Sequence, residues 1–181
     1  MTESTESTEF LEEFFSEAQI RARVKELGRQ ISLDYQGKPL VMVCVLKGAF
    51  IFFSDLVRQV DLELEVDFLR VSSYGAGDTS SGEVRFSKDV EIDLRAKDVL
   101  LVDDIVDSGL TMDRLRREIL TRGVNSLRIA ALIDKFERRE KEVSVDYAGF
   151  SVSDGFFVGY GLDYAERHRQ KASVCVLVQK D

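Results

Sequence analysis

Two adjacent carboxylates, Asp103 and Asp104, are followed by a third, Asp107, and then by the run Ser108-Gly109-Leu110-Thr111. Carboxylates accept hydrogen bonds from hydroxyls, and two in series suit a cis-diol. A turn of small and hydroxylated residues that opens a helix presents backbone N–H groups and hydroxyls, a natural seat for a phosphate. Acids and an anion seat a few residues apart point to a substrate with both hydroxyls and phosphates. A phosphorylated sugar fits. Taken as residues alone, Ser108 or Thr111 also reads as an ordinary helix cap, and Asp107 as a turn-forming aspartate.

Other chemistries lack their parts. No Gly-x-x-x-x-Gly-Lys-Ser/Thr loop is present, and neither Gly75/Gly77 nor Gly159/Gly161 continues into a dinucleotide fingerprint. There is no Gly-x-Ser-x-Gly, and the one histidine, His168, sits in the charged run Glu166-Arg167-His168-Arg169, where a solvated role is expected. The net charge of −8 leaves no broad basic surface for a nucleic acid, only a local basic patch at Arg138, Arg139 and Lys141. Cys44 and Cys175 fall inside apolar runs and read as small buried hydrophobes; without metal spacing or a signal peptide they suggest a reducing, cytoplasmic setting. No apolar stretch approaches the roughly 20 residues that span a bilayer.

The acids must be held by something. Val99 to Val102 is an unbroken apolar run ahead of them, as expected of a strand covered on both faces in a parallel sheet. Ligands of such sheets bind beyond the carboxyl ends of the strands. Leu40 to Leu46 is a near-continuous apolar run ending at Lys47-Gly48, Leu64 to Val71 resumes the strand pattern, and Leu127 to Ile133 is a further strand, broken by Arg128, that ends at Asp134-Lys135. Between them lie helical stretches: one from near Ser16 with Ile20, Val24, Leu27 and Ile31 in phase, Ala49 to Val60, and one carrying Met112, Leu115, Ile119 and Leu120. Shorter strand-like runs follow at 147–152, 156–159 and 174–178. Residues 1–9 are polar and repetitive and read as a disordered tail, leaving 10–181 as a single α/β domain with a mostly parallel central sheet flanked by helices. Residues 72–82, with three glycines, read either as a plain surface connection or as a lid over the site.

The full pattern of four apolar residues, Asp-Asp, two apolar residues and Asp-Ser-Gly-x-Thr resembles the phosphoribosyl-pyrophosphate (PRPP) motif of the type I phosphoribosyltransferases. More narrowly, the chain is similar to their hypoxanthine-guanine branch from about Phe15 to Val178. Matching pieces are Val45-Leu46-Lys47-Gly48-Ala49-Phe50, Val66-Asp67-Phe68, Ser72-Ser73-Tyr74-Gly75, Asp134-Lys135 and Val158-Gly159-Tyr160-Gly161-Leu162-Asp163-Tyr164.

That resemblance implies the type I fold with a small hood built from both chain ends, and an Mg2+-dependent transfer of phosphoribose from PRPP to hypoxanthine or guanine, giving IMP or GMP and pyrophosphate. It implies that Asp103 and Asp104 hold the ribose hydroxyls, directly or through Mg2+, and that Ser108, Gly109, Leu110 and Thr111 hold the 5-phosphate. Asp107 becomes the acid/base group beside the five-membered ring of the purine. Lys47 and Gly48 form a pyrophosphate loop in which the bond before the lysine is cis, and Arg169 pairs with pyrophosphate. Lys135, by residue type an exposed charge, donates to the purine 6-oxo group. Phe156 and Phe157, by residue type plain core, flank the base. Asp163 binds a second Mg2+, and Ser73 and Tyr74 belong to a lid that excludes water. A homodimer or homotetramer is the expected assembly.

Three departures from the pattern of that branch stand out. Asp103 replaces a glutamate and shortens the reach to the diol by a methylene. Phe136 replaces a proline, an exchange expected to loosen the turn that holds Lys135. Phe157 replaces a valine and reshapes the base pocket, which keeps a xanthine-preferring enzyme as an alternative. A PRPP-sensing RNA- or DNA-binding regulator on the same fold is the rival of another class; the charge of −8, Asp107 and Lys135 weigh against it.

Overall fold

The computed structural model describes residues 9–71 and 86–179. Ser73 and Tyr74, with the rest of the 72–82 loop, lie outside the described residues, as does the N-terminal tail apart from Glu9.

The chain enters through β1 (Glu9–Phe15) and turns at Ser16 into α1 (Glu17–Asp34). Ser16 and Gln19 form a reciprocal capping box: Ser16 N donates to Gln19 Oε1 at 2.9 Å and Gln19 N to Ser16 Oγ at 3.3 Å. Then follow β2 (Leu40–Val45), α2 (Phe50–Val57), β3 (Glu65–Val71), β4 (Phe86–Lys88), β5 (Asp98–Val106), α3 (Leu110–Leu120), β6 (Ser126–Lys135), β7 (Tyr147–Val152), β8 (Phe157–Val158) and β9 (Val174–Gln179). Six strands form one sheet in the order β4-β3-β2-β5-β6-β7, parallel except for β4, which runs antiparallel on β3. The second sheet, β1-β9-β8, is antiparallel and joins the two ends of the chain into a hood. Glu9, the first residue of β1, pairs with Gln179.

Alternation along the strands divides the core into two layers. Leu40, Met42, Cys44, Leu100 and Val102 face α1 and α2; Val41, Val43, Val45, Val99 and Leu101 face α3. Both faces of β2 and the first half of β5 are buried, which explains their unbroken apolar runs. Both cysteines are buried and unpaired, and among the described residues no helix is long and apolar enough to cross a membrane.

From β2 the chain winds outward to β3, whereas from β5 it winds the other way to β6 and β7. The order therefore reverses between β2 and β5, and in open α/β sheets ligands sit at that crevice, past the carboxyl ends of the strands. Those two ends carry Lys47-Gly48 and Asp103-Asp104.

One buried carboxylate supports this edge without belonging to the site. Asp67, only 5% exposed, accepts from the backbone N–H groups of Phe68 (2.7 Å), Glu91 (2.6 Å) and Ile92 (2.9 Å), tying β3 to the segment before β5. Burial pushes its pKa up, but these three donors and the charge of Lys88 outweigh burial and hold it below the ordinary 3.8. A depressed folded-state value adds stability above about pH 4 that is lost as pH falls through it. Asp67→Ala strands three donors; we expect a loss of about 2–4 kcal/mol in urea unfolding at pH 7, shrinking toward pH 3. An unchanged unfolding midpoint would contradict this.

Candidate active site

Strand β5 does not stop at Val102 but runs on to Val106, so Asp103 and Asp104 are its own residues. The sequence places them side by side, and their carboxyls stay within hydrogen-bond reach of each other. Asp103 lines a cavity of about 120 Å³ with Asp107, Ser108, Gly109 and Thr111. The carboxylate of Asp104 fills the space beside Gly48: a Cβ on Gly48 would fall 1.6 Å from Asp104 Oδ2. Each acid also anchors the next backbone N–H, Asp103 Oδ1 accepting from Asp104 N and Asp104 Oδ1 from Ile105 N, both at 2.9 Å. Burial, then the neighbouring charge of Asp104, holds the Asp103 carboxyl well above the usual range; burial also raises Asp104. Two carboxylates kept this dry favour a ligand that brings hydroxyl donors or a cation. Burial and both acids push the nearby Cys44 thiol up to about 12, so it stays protonated.

Beyond β5 the chain turns through Asp107 and Ser108 to Gly109, the N-cap of α3, with φ 81°. The N-cap Gly109 has no side chain to cap the helix, and Leu110 N donates instead to Ser108 Oγ at 3.4 Å. The first N–H groups of a helix have no intrahelical partner, and here they open beside the 120 Å³ cavity. Asp107 Oδ2 accepts from Lys135 Nζ at 3.2 Å, whereas its Oδ1 is buried without a hydrogen-bond partner. An orphaned carboxylate oxygen in such a crevice is set to take an N–H from a ligand.

Lys135 ends β6 rather than lying on the surface, and is 3% exposed. Its ammonium reaches Asp107, Asp154 Oδ1 at 2.9 Å and the Gly155 carbonyl at 3.1 Å. Phe136 does not loosen this corner. Its N–H donates to Val152 O at 3.3 Å, a bond that proline cannot make, and so extends the β6–β7 pairing.

Sequence reasoning missed Arg139, which reads as part of a basic patch. Its guanidinium is committed: Nε donates to Asp107 O (3.0 Å), Nη2 to Val106 O (3.2 Å) and Lys135 O (2.8 Å), Nη1 to Val143 O (2.5 Å), and it is paired with Asp134. With Glu140 N and Lys141 N donating to Ser108 O (2.9 and 3.1 Å), this segment clamps the 106–108 turn and the end of β6 in one frame. The residue spacing carries no sign of the link to β5, since Val106 O and Asp107 O lie more than thirty residues away in the chain.

On the other side of the crevice the Leu46–Lys47 bond is cis. Gly161, at φ 104°, comes so close to this loop that a Cβ on it would fall 2.1 Å from Gly48 O. Arg169 is fixed by Asp163 Oδ1 (2.7 Å) and Gly161 O (2.8 Å), and Glu166 stands between Arg169 and Lys47. Phe156 and Phe157 do not share a wall. Phe157 is buried, its ring beneath Gly155 and against Phe14, while Phe156 is half-exposed with its edge toward Tyr164. Among the described residues no three His, Cys, Asp or Glu side chains converge on one metal-sized point.

Residues 11–165 match the phosphoribosyl transferase domain. The chain is 46% identical over 173 residues to the hypoxanthine phosphoribosyltransferase of Salmonella typhimurium, covering 94% of this chain and 97% of the relative. It is 44% identical to the hypoxanthine-guanine phosphoribosyltransferase of Bacillus subtilis, covering 90% of each. The crystal structure of a hypoxanthine phosphoribosyltransferase from Staphylococcus aureus superposes with a TM-score of 0.87 at 43% identity, over 92% of this chain and 91% of that one.

Proposed function

The chain belongs to the phosphoribosyltransferase family, in its hypoxanthine phosphoribosyltransferase branch, and from that premise we propose that it transfers phosphoribose from PRPP to a 6-oxopurine, hypoxanthine or guanine, releasing pyrophosphate and IMP or GMP. The observation that carries the reading is the orphaned Asp107 Oδ1 beside the buried ammonium of Lys135, next to the opening of α3. One group takes a ring proton, the other donates to a ring oxygen, and the helix end holds a phosphate.

On this reading the 5-phosphate lodges against the N–H groups and hydroxyls of Ser108 to Thr111, and Asp103 and Asp104 take the ribose hydroxyls from the end of β5. The base lies over Asp107 and Lys135, with Phe156 at its flank. The bond from the anomeric carbon to pyrophosphate breaks, and its electron pair leaves with pyrophosphate. The purine nitrogen attacks the oxocarbenium-like carbon, and Asp107 accepts the purine proton. Lys47 and Arg169 hold the departing charge. Lys135 exchanges one of its present acceptors for the 6-oxo group, a donor-to-carbonyl contact that adenine does not offer. Ser73 and Tyr74 belong to the covering loop in this scheme.

Mg2+ fits the donor set. It is a hard cation that keeps water and substrate oxygens and asks for only one or two carboxylates, and Asp163 and the Asp103/Asp104 pair supply carboxylate oxygen on both sides of the crevice. When bound, it neutralises charge on the phosphates. The proposal extends to a single domain over 10–181, a cytoplasmic setting and a homodimer or homotetramer.

The test is a spectrophotometric assay with PRPP, Mg2+ and each of hypoxanthine, guanine, xanthine and adenine. We expect turnover with hypoxanthine or guanine and at least ~10²-fold less with adenine, because Lys135 then faces an amino group and loses its acceptor. A preference for adenine overturns the assignment of Lys135; a preference for xanthine, which keeps the 6-oxo group, overturns only the choice of hypoxanthine or guanine; no nucleotide with any base overturns the enzyme reading.

A further inference from the structure

Glu166 bridges the two cations assigned to pyrophosphate. Its Oε1 lies 2.7 Å from Lys47 Nζ and its Oε2 3.0 Å from Arg169 Nη2. One oxygen thus serves each cation, as the oxygens of a bound phosphate would. We propose that Glu166 is an intramolecular competitor for the pyrophosphate site: it holds the cations in the free enzyme, is displaced when PRPP binds, and returns to help expel pyrophosphate. The inference rests on the assignment of Lys47 and Arg169 to pyrophosphate.

Two features distinguish a competitor from a strut. First, Arg169 does not need Glu166 to stay in place, because Asp163 Oδ1 and the Gly161 carbonyl already hold it at 2.7 and 2.8 Å. Second, Glu166 is built to leave. Its side chain is 64% exposed, whereas that of Arg169 is 18% exposed, so solvent receives the carboxylate once an anion replaces it.

The backbone supports the same view. Tyr164 and Arg167 exchange both backbone hydrogen bonds, at 3.2 and 3.0 Å, around Ala165 (φ 50°) and Glu166 (φ 63°), a two-residue turn of the type that favours asparagine and glycine. A glutamate at such a position is held by what its groups reach: its own N–H donates to Asp163 Oδ2 at 2.8 Å, and its carboxylate goes to the cations. The chain thus spends an unfavourable turn conformation to aim one carboxylate at Lys47, 119 residues away.

The experiment uses the full chain with inorganic pyrophosphate as the probe, titrated calorimetrically at fixed Mg2+. Glu166→Gln removes the competing charge, and Glu166→Asn does so with a residue that tolerates the turn. Two exposed ion pairs compete, so both variants should bind pyrophosphate about three- to tenfold tighter, with the KM for PRPP lower by a similar factor. Affinity that is unchanged or weaker in both variants overturns the proposal. Lys47→Ala and Arg169→Gln keep the two ideas apart, since each should weaken pyrophosphate binding at least tenfold. If neither does, the pyrophosphate assignment of these cations fails; if they do and the Glu166 variants show no gain, only the competitor role fails.

Discussion

Asp107→Asn lowers turnover by ~10²-fold or more, with the KM for PRPP kept within about threefold. The split follows from the geometry. Asp107 uses Oδ2 on Lys135 and keeps Oδ1 buried without a partner, while the phosphate seat is built from the residues after it and the ribose acids from the strand before it. Asparagine has the same shape and still offers Lys135 an oxygen, but the atom it then turns to the base is an N–H donor. It cannot take a proton from the purine, and it meets a ring N–H donor to donor. Loss of a positioned base is worth roughly 10²–10⁴ in rate. Single-turnover kinetics with PRPP saturating reads the chemical step. Near-normal turnover would remove Asp107 from the chemistry, and a KM raised in proportion would make it a binding residue instead.

Gly48→Ala raises the KM for PRPP by ~10²-fold or more while the chain still folds. The glycine is needed for space and not for backbone freedom, since its φ is not in the left-handed region. The new methyl carbon would lie 1.6 Å from Asp104 Oδ2 and 2.5 Å from its Cγ, on a half-buried carboxylate. Either Asp104 swings off the ribose or the loop with Lys47 lifts away. Both outcomes break the contact between the two halves of the site, and losing one fully desolvated charged contact is worth ~2–5 kcal/mol. Calorimetric titration with PRPP and a thermal melt separate binding from folding. A normal KM with the melt unchanged would show that Gly48 and Asp104 do not need to touch.

The unbroken apolar run before Asp103 showed where the central strand lies and that both its faces are covered, and the change of spacing at Ser16 and at Met112 showed the helices, because one-dimensional periodicity records burial. Where strands end is another matter. Asp103, Asp104 and Lys135 look like turn residues by type, yet they finish β5 and β6, since strand pairing and the closing hood outweigh their local preference. The same limit hid β4, three residues long. Arg139 and Glu166 were invisible for a simpler reason. Each ties near neighbours to a partner distant in the chain, and a charged residue in a charged run carries no mark of what it will reach. What was legible of the site came as a resemblance over several short pieces in order; the residues alone gave a phosphorylated sugar, and no base.

The Asp103 and Asp104 carboxyls, raised by burial, mark a fold that tolerates two dry acids until a ligand brings them donors. Most of the account depends on that ligand lying across the end of β5, with its phosphate on α3 and its base on Lys135. A crystal structure of the chain with IMP or GMP measures this directly. We predict the phosphoryl group against the backbone of Ser108 to Thr111, a base nitrogen within hydrogen-bond distance of Asp107, and the 6-oxo group on Lys135. A phosphoryl group lodged elsewhere, with the crevice between β2 and β5 empty, would contradict it.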